Sequence, residues 1–346
     1  MKLPLKTEPA RICILRLSAV GDICHMLPIV RTIQKYWPKT EITWVIGVLE
    51  YSLVSDIPNI KFIIFDKSKG FSAYVSLQRY FKNKSFDVLL HMQMSLRASI
   101  ASLFIPAKIK LGFDRESAKD AQWLFTNHKL NKHNSSHVID NFFNFIETLG
   151  LTQRNMVWDI PITLDARNFA NQQLPDKNCF VISPCSSMAY RNWNTKGYAA
   201  IAEYAHNDYG FKIILTGGPS ELEKYYGTEI TKQSNVEIVN IIGKTNLKQL
   251  CAILSKATVL LSPDSGPAHI ATAVNLPVIG LYATTNPKRA QPYLSEKYTI
   301  NKYDDAILQK FNKKVADVPW GTRVRDPGTM DRISIDDVKQ MIDLFC

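Results

Sequence analysis

Residues able to do chemistry cluster in short polar stretches that follow apolar runs. The densest is Ser262-Pro263-Asp264-Ser265-Gly266-Pro267-Ala268-His269. It lies between the apolar run Ala257–Leu261 and a helix-like run, Ile270–Val274, with a second apolar strand at Val278–Tyr282. A strand turning tightly into a helix leaves backbone N–H groups free. Together with the positive end of the helix dipole they suit a phosphate. Pro267 falls near the first helical position, where its missing N–H costs nothing, and Asp264 or Ser265 can cap the helix. The same residue types also build ordinary strand–helix loops. His269 reads equally as a capping or core histidine, and one histidine does not make a metal site.

A second stretch, Leu17-Ser18-Ala19-Val20-Gly21-Asp22, joins the first apolar strand, Ile12–Leu17, to a helix over Ile23–Tyr36. Asp22 then falls at the carboxyl edge of a sheet, where a lone carboxylate serves either as a general base or as the helix N-cap. Gly21 permits a tight turn or a close approach to a ligand. The stretch is not the glycine-rich dinucleotide fingerprint.

In a third stretch, Ser183 to Trp193, Ser186 and Ser187 can bond phosphate oxygens, and Arg191 can neutralise a diphosphate with its planar fork. A polar loop with a solvated Arg191 and a packed Trp193 fits the same residues. Glu221 and Glu223, after Gly217-Gly218-Pro219, can grip ribose hydroxyls or simply complement a helix dipole. Arg97, Lys108, Lys110, Arg115 and Lys119 form a basic set able to hold an anionic acceptor, or to be ordinary solvated surface.

Positioning these residues requires strands that alternate with helices. The first part reads as strands Ile12–Leu17, Glu41–Ile46, Lys61–Phe65, Phe86–His91 and Lys108–Phe113, with helices between them and a closing helix over His137–Leu149. The second reads as strands Cys179–Ser183, Lys212–Thr216, Val236–Asn240, Thr258–Leu261 and Val278–Tyr282, with helices Thr195–Asp208, Ser220–Gln233 and Asn246–Lys256. This βαβ spacing predicts α/β halves with mostly parallel sheets. A connector from Asp159 to Lys177 separates them, and Ser334 caps a terminal helix. The expected domains are residues 1–165, residues 166–330 and a C-terminal helix over 331–346, with a cleft between the two halves.

Composition narrows the class. The chain has 346 residues, 46% hydrophobic and 21% charged, enough for two ordinary domains. No apolar run approaches the ~20 residues that span a bilayer, and Met1–Arg11 does not read as a secretory signal. Cysteines at 13, 24, 179, 185, 251 and 346 are dispersed, without a CxxC pair, as for reduced thiols in the cytosol. The net charge is +11; residues 1–165 carry a surplus of +7 and the remainder +4. A basic chain expects an anionic partner. No arginine-rich run or helix-turn-helix pattern points to nucleic acid.

Taken together the motifs resemble glycosyltransferase family 9, the bacterial lipopolysaccharide heptosyltransferases. The matching pieces are Arg16–Asp22, Phe86–Gln93, Lys110–Arg115, Ser183–Trp193, Leu215–Pro219 and Pro263–His269, in family order. The resemblance implies a GT-B fold: two Rossmann-like parallel-sheet domains facing across a cleft, with the C-terminal helix crossing back to the N-terminal domain. It implies inverting transfer of a heptose from ADP-heptose to the lipopolysaccharide inner core, with no metal and no cofactor. Asp22 matches the base. Ser186, Ser187 and Arg191 match donor-phosphate contacts, Arg191 also stabilising the leaving ADP. Asp264, Ser265, Gly266 and His269 match the donor turn, with Glu221 on the donor side. Ser18, Gly21, Gln93, Arg97 and Arg115 fall to the acceptor in the first domain. The chain departs from the family where a Lys is common near Arg191, and where a Gln-Gly pair is common at Gln93-Met94.

The expected enzyme is a cytoplasmic monomer, peripheral at the inner face of the inner membrane, meeting a lipid-linked saccharide there and no nucleic acid. Three rival readings remain: an NAD-dependent oxidoreductase or epimerase, which the single Gly21 disfavours; a glycosyltransferase with another donor or acceptor; and a non-catalytic protein that binds polyanions.

Overall fold

The computed structural model describes residues 2–115, 118–131, 137–174 and 178–345. Cys346 and the last residues of the expected connector, 175–177, lie outside the described residues. The chain divides into two compact units between Pro161 and Ile162.

The first unit runs β1 (Arg11–Leu15), α1 (Val20–Tyr36), β2 (Glu41–Gly47), α2 (Val48–Val54), β3 (Ile60–Phe65), α3 (Phe71–Phe81), β4 (Phe86–His91), α4 (Leu96–Leu103), β5 (Ala107–Gly112), β6 (His128–Lys129) and α5 (Val138–Leu149). Its strands form one six-stranded sheet in the order β3-β2-β1-β4-β5-β6. Every pairing is parallel.

The second unit runs α6 (Leu164–Gln173), β7 (Cys179–Ile182), α7 (Thr195–Tyr209), β8 (Lys212–Leu215), α8 (Glu221–Gln233), β9 (Ile238–Asn240), α9 (Leu247–Leu254), β10 (Val259–Pro263), α10 (Gly266–Ala273), β11 (Val278–Tyr282), α11 (Pro287–Ala290), β12 (Thr299–Asn301), α12 (Tyr303–Phe311) and α13 (Ile335–Ile342). Its sheet repeats the same plan in the order β12-β11-β10-β7-β8-β9.

This is the doubly wound order. In each sheet the winding reverses once, between β1 and β4 and between β7 and β10. Loops after strands on either side of such a reversal diverge and leave room for a ligand at the carboxyl edge. The registers Leu15↔His91 and Leu261↔Ile182 bring the paired strand ends level. The segments that leave them hold Asp22, in the first turn of α1, and Gln93 in the first unit, and Arg191 and Asp264 in the second.

Both sheets are buried on two faces, as their near-continuous apolar strands require. Cys13, Leu15, Val45, Phe81 and Leu89 lie in one core of the first unit; Phe180, Ile182, Tyr198, Ile213, Leu261 and Ile279 lie in that of the second. All five described cysteines are free and buried. Burial pushes the Cys185 and Cys251 thiols up to about 12 and Cys13 further still.

The structure differs from the sequence expectation in the connector. The Asp159–Lys177 connector contains α6. Its polar composition hides it, but Thr163 Oγ1 accepts from Ala166 N–H at 3.3 Å, and the small side chains Ala166 and Ala170 are buried where α6 packs on α9. α13 packs on α7 and β11 of its own unit, and Val338 and Ile342 belong to that unit's core. Ser334 and Asp337 form a capping box at its start.

Candidate active site

In the first unit the deciding contact is an ion pair between Arg16 and Asp22. Helix α1 starts at Val20, so Asp22 is in its first turn and reaches back to accept from Ala19 N–H at 3.3 Å. Ala19 has no side-chain oxygen to complete the cap. The carboxylate therefore both caps the helix and remains 30% exposed, while Arg16 is 10% exposed. Arg16 Nη1 donates to Met92 O at 2.5 Å, and the guanidinium lies 5.1 Å from the Phe142 ring centroid. A buried arginine anchored to backbone and ring fixes the direction in which Asp22 presents its charge. Gly21 is helical, in the same turn, and adopts no left-handed conformation.

The loop before Asp22 is held by a second strand end. Gln93 Oε1 accepts from Leu17 N–H at 2.6 Å and Ser18 N–H at 3.2 Å, and Gln93 Nε2 donates to Ser18 Oγ at 3.2 Å. Gln122, fully buried, anchors this strand end in turn. Its amide donates to His91 O at 2.8 Å and Gln93 O at 3.2 Å, contacts His91 Nδ1 at 3.0 Å, and accepts from Phe113 N–H at 3.1 Å. Burial, with the Lys110 charge, lowers the His91 pKa to about 3, so His91 is a neutral spacer at working pH. Gly47 packs closely on the same loop: its N–H donates to Leu17 O at 3.0 Å, and a Cβ there would stand 2.5 Å from that oxygen and from Glu50 Oε2. Burial raises the pKa of Glu50.

In the second unit Arg191 ends a short turn, Ala189–Arg191, after β7. Its Nη1 bonds Asp264 Oδ2 at 3.1 Å and Asp264 O at 3.2 Å, both side chains being largely buried. Its Nε is buried without a partner. Ser186 is buried; its N–H donates to Asn192 Oδ1 at 2.7 Å and its Oγ accepts from Met188 N–H at 3.4 Å. Ser187 is exposed. The expected cap of α10 is corrected: Ser265 occupies the N-cap but makes no side-chain cap bond. Its Oγ faces Ser262 Oγ at 2.7 Å instead. With Pro267 carrying no N–H, the first turn of α10 keeps uncapped donors beside Arg191, the arrangement an anion requires. His269 is buried in that turn.

The remaining sequence candidates divide by position. Arg97 opens α4 and is exposed; Arg115 is exposed and stacks 4.7 Å over Trp123. Both follow strand ends at the carboxyl edge. Lys108 lies near the amino end of β5, paired with Asp87 at 2.8 Å, and Lys110 Nζ donates to Ser102 O at 2.8 Å. Glu221 is exposed and pairs with Lys224 at 2.8 Å, whereas Glu223 braces the preceding turn through Gly218 N–H at 2.6 Å and Ser220 Oγ at 2.6 Å. Among the described residues no group of three His, Cys, Asp or Glu side chains is placed to hold a metal ion.

Residues 74–317 match glycosyltransferase family 9 (heptosyltransferase). The chain belongs to this family. This family 9 enzyme is 43% identical to the lipopolysaccharide core heptosyltransferase OpsX of Haemophilus influenzae, over 97% of both chains. Among solved structures, a family 9 glycosyltransferase of Veillonella parvula matches with TM-score 0.79 over 97% of both chains at 23% identity. The E. coli heptosyltransferase WaaC, solved with ADP, matches with TM-score 0.68 over 96% of this chain and 97% of that one, at 18% identity. At such identities these structures speak for the fold, which is GT-B.

For the glycosyltransferase, sequence reasoning singled out Asp22, Gln93, Arg191 and Asp264 but gave no role to Arg16, Gln122 or Glu50. Arg16 had a signal: one arginine at the end of an otherwise apolar strand. Gln122 had none, because its partners are mostly backbone groups distant in sequence.

Proposed function

We propose that the enzyme transfers a heptose from ADP-heptose to the inner core of lipopolysaccharide, in its Kdo/heptose region, with inversion and without a metal. The 43% identity to a lipopolysaccharide core heptosyltransferase over nearly all of both chains carries this reading. The chemistry of the two loci agrees with it. The acceptor hydroxyl attacks the anomeric carbon, its proton passes to Asp22, and the carbon–oxygen bond to the diphosphate breaks with its electron pair leaving on ADP. Arg191 and the α10 N-terminus take up that developing charge, the task a metal performs elsewhere. Asp264 orients Arg191, and Ser186, Ser187, Ser265, Gly266 and His269 line the donor turn. In this reading the first unit binds the acceptor through Ser18, Gly21, Gln93, Arg97 and Arg115, and the second binds the donor.

No helix among the described residues is long and apolar enough to cross a membrane. The lipid-linked acceptor and the basic surplus of residues 1–165 favour action at the inner face of the inner membrane, peripherally. The test is a transfer assay with ADP-heptose and a lipid-linked core acceptor, run with and without EDTA, beside UDP- and GDP-sugars. Transfer from ADP-heptose alone, unchanged by EDTA, is expected; activity only with another donor would overturn the reading. Arg191→Ala should weaken ADP binding in calorimetry by about tenfold or more; unchanged affinity removes Arg191 from the donor site.

A further inference from the structure

The segment 319–330 lies beyond the stretch matched by the family, and no sequence motif singled it out. It runs along the carboxyl edge of the second sheet. Val324 N–H donates to Thr284 O at 3.0 Å, and Arg323 bridges to Thr285, both in the loop after β11. Farther on, the turn Thr329–Arg332 packs against the turn Ala189–Arg191 that follows β7. β11 and β7 flank β10, so the segment passes from one neighbour of the donor turn to the other. Its ends are fixed. Val324 is buried with Tyr303, Ala306 and Ile307; Tyr303 Oη donates to Thr322 O at 2.9 Å, and Asn194 Nδ2 to Asp331 Oδ1 at 2.8 Å.

Between these anchors stands Arg325. It is exposed and has no ion-pair partner among the described residues. Its guanidinium carbon is 5.5 Å from the Tyr190 ring centroid, and that of Arg191 is 5.7 Å from the same ring. Two cations on one ring repel unless an anion accompanies them. Asp264 neutralises only Arg191. The Tyr190 hydroxyl and Arg191 Nε are both buried without a partner. A cavity of about 360 Å³ opens here, lined among others by Tyr190, Asn194, Tyr226, Arg325 and the carboxylates Asp326 and Asp331. Of these carboxylates, Asp326 pairs with Lys310 at 2.6 Å and Asp331 accepts from Asn194 Nδ2, so Arg325 stands unpaired beside unfilled hydrogen-bond capacity.

We propose that Arg325 is a second cation of the donor diphosphate site, contacting the terminal phosphate that leaves with the nucleotide, and that the 319–330 segment exists to carry it there. This rests on reading Arg191 and the α10 turn as the diphosphate site. The test is calorimetry on the full chain with ADP and AMP as probes, comparing wild type, Arg325→Ala and Arg325→Lys. Arg325→Ala should weaken ADP about tenfold, a typical loss for one charge-assisted contact, while AMP changes less than about twofold and Arg325→Lys falls between. An ADP affinity unchanged in Arg325→Ala, or an equal loss for ADP and AMP, would overturn the proposal. Wild-type protein that fails to bind ADP would instead overturn the donor reading on which it stands.

Discussion

Arg16 holds Asp22 by a direct ion pair across the turn that joins β1 to α1, the arginine buried and the carboxylate facing solvent on its other side. Removing the arginine alone leaves the proposed base in place but undirected. Arg16→Met should therefore lower kcat by about 10- to 100-fold, because a misplaced catalytic group loses its orientation term, and cost about 1–3 kcal/mol of stability. Arg16→Lys should restore stability more than rate, since an ammonium cannot hold Met92 O and Asp22 in one plane. Equal rescue of both would argue that Arg16 is structural only.

The buried His91 makes stability depend on pH. Its folded pKa, about 3, lies below its ordinary 6.5, so between these values the unfolded chain binds the extra proton. Stability is then lost as pH falls below about 6.5, with a slope approaching 1.4 kcal/mol per pH unit from this group. Glu50, raised by burial, acts in the opposite sense just above the usual carboxylate range. Denaturant melts at pH 5–7 should show a flatter pH slope for His91→Gln than for wild type. Identical slopes would mean that another group controls the acid limb.

Gly197 is required by contact rather than by conformation. A Cβ at this position would stand 2.5 Å from the Trp193 ring, which is fixed by its Nε1 donating to Ile333 O at 3.0 Å. Gly197→Ala should destabilise by about 1–3 kcal/mol through overpacking. Because Trp193 follows the Arg191 turn closely, ADP affinity should fall as well. A melting temperature equal to wild type would show that the ring moves freely.

Much of this architecture was legible in the sequence. Alternating apolar runs and helical stretches are dictated by local pattern, so the strands that precede Asp22, Arg191 and Asp264 could be placed from spacing alone. Short elements and supporting contacts escaped for physical reasons. The polar helix α6 buries little beyond Ala166 and Ala170, leaving almost no periodic apolar signal. Asp22 was read as either cap or base, and it makes the cap contact while its other face stays open. Arg325 and Gln122 make ring and backbone contacts to residues far away in sequence, which no local pattern encodes.

The central claim is that Asp22 takes the acceptor proton. It is tested most directly by Asp22→Asn, which keeps the size of the side chain and removes its basicity. With ADP-heptose and a lipid-linked core acceptor, this variant should bind ADP as wild type does while turnover falls by about 10²–10⁴-fold. Near-normal turnover in Asp22→Asn would contradict the account.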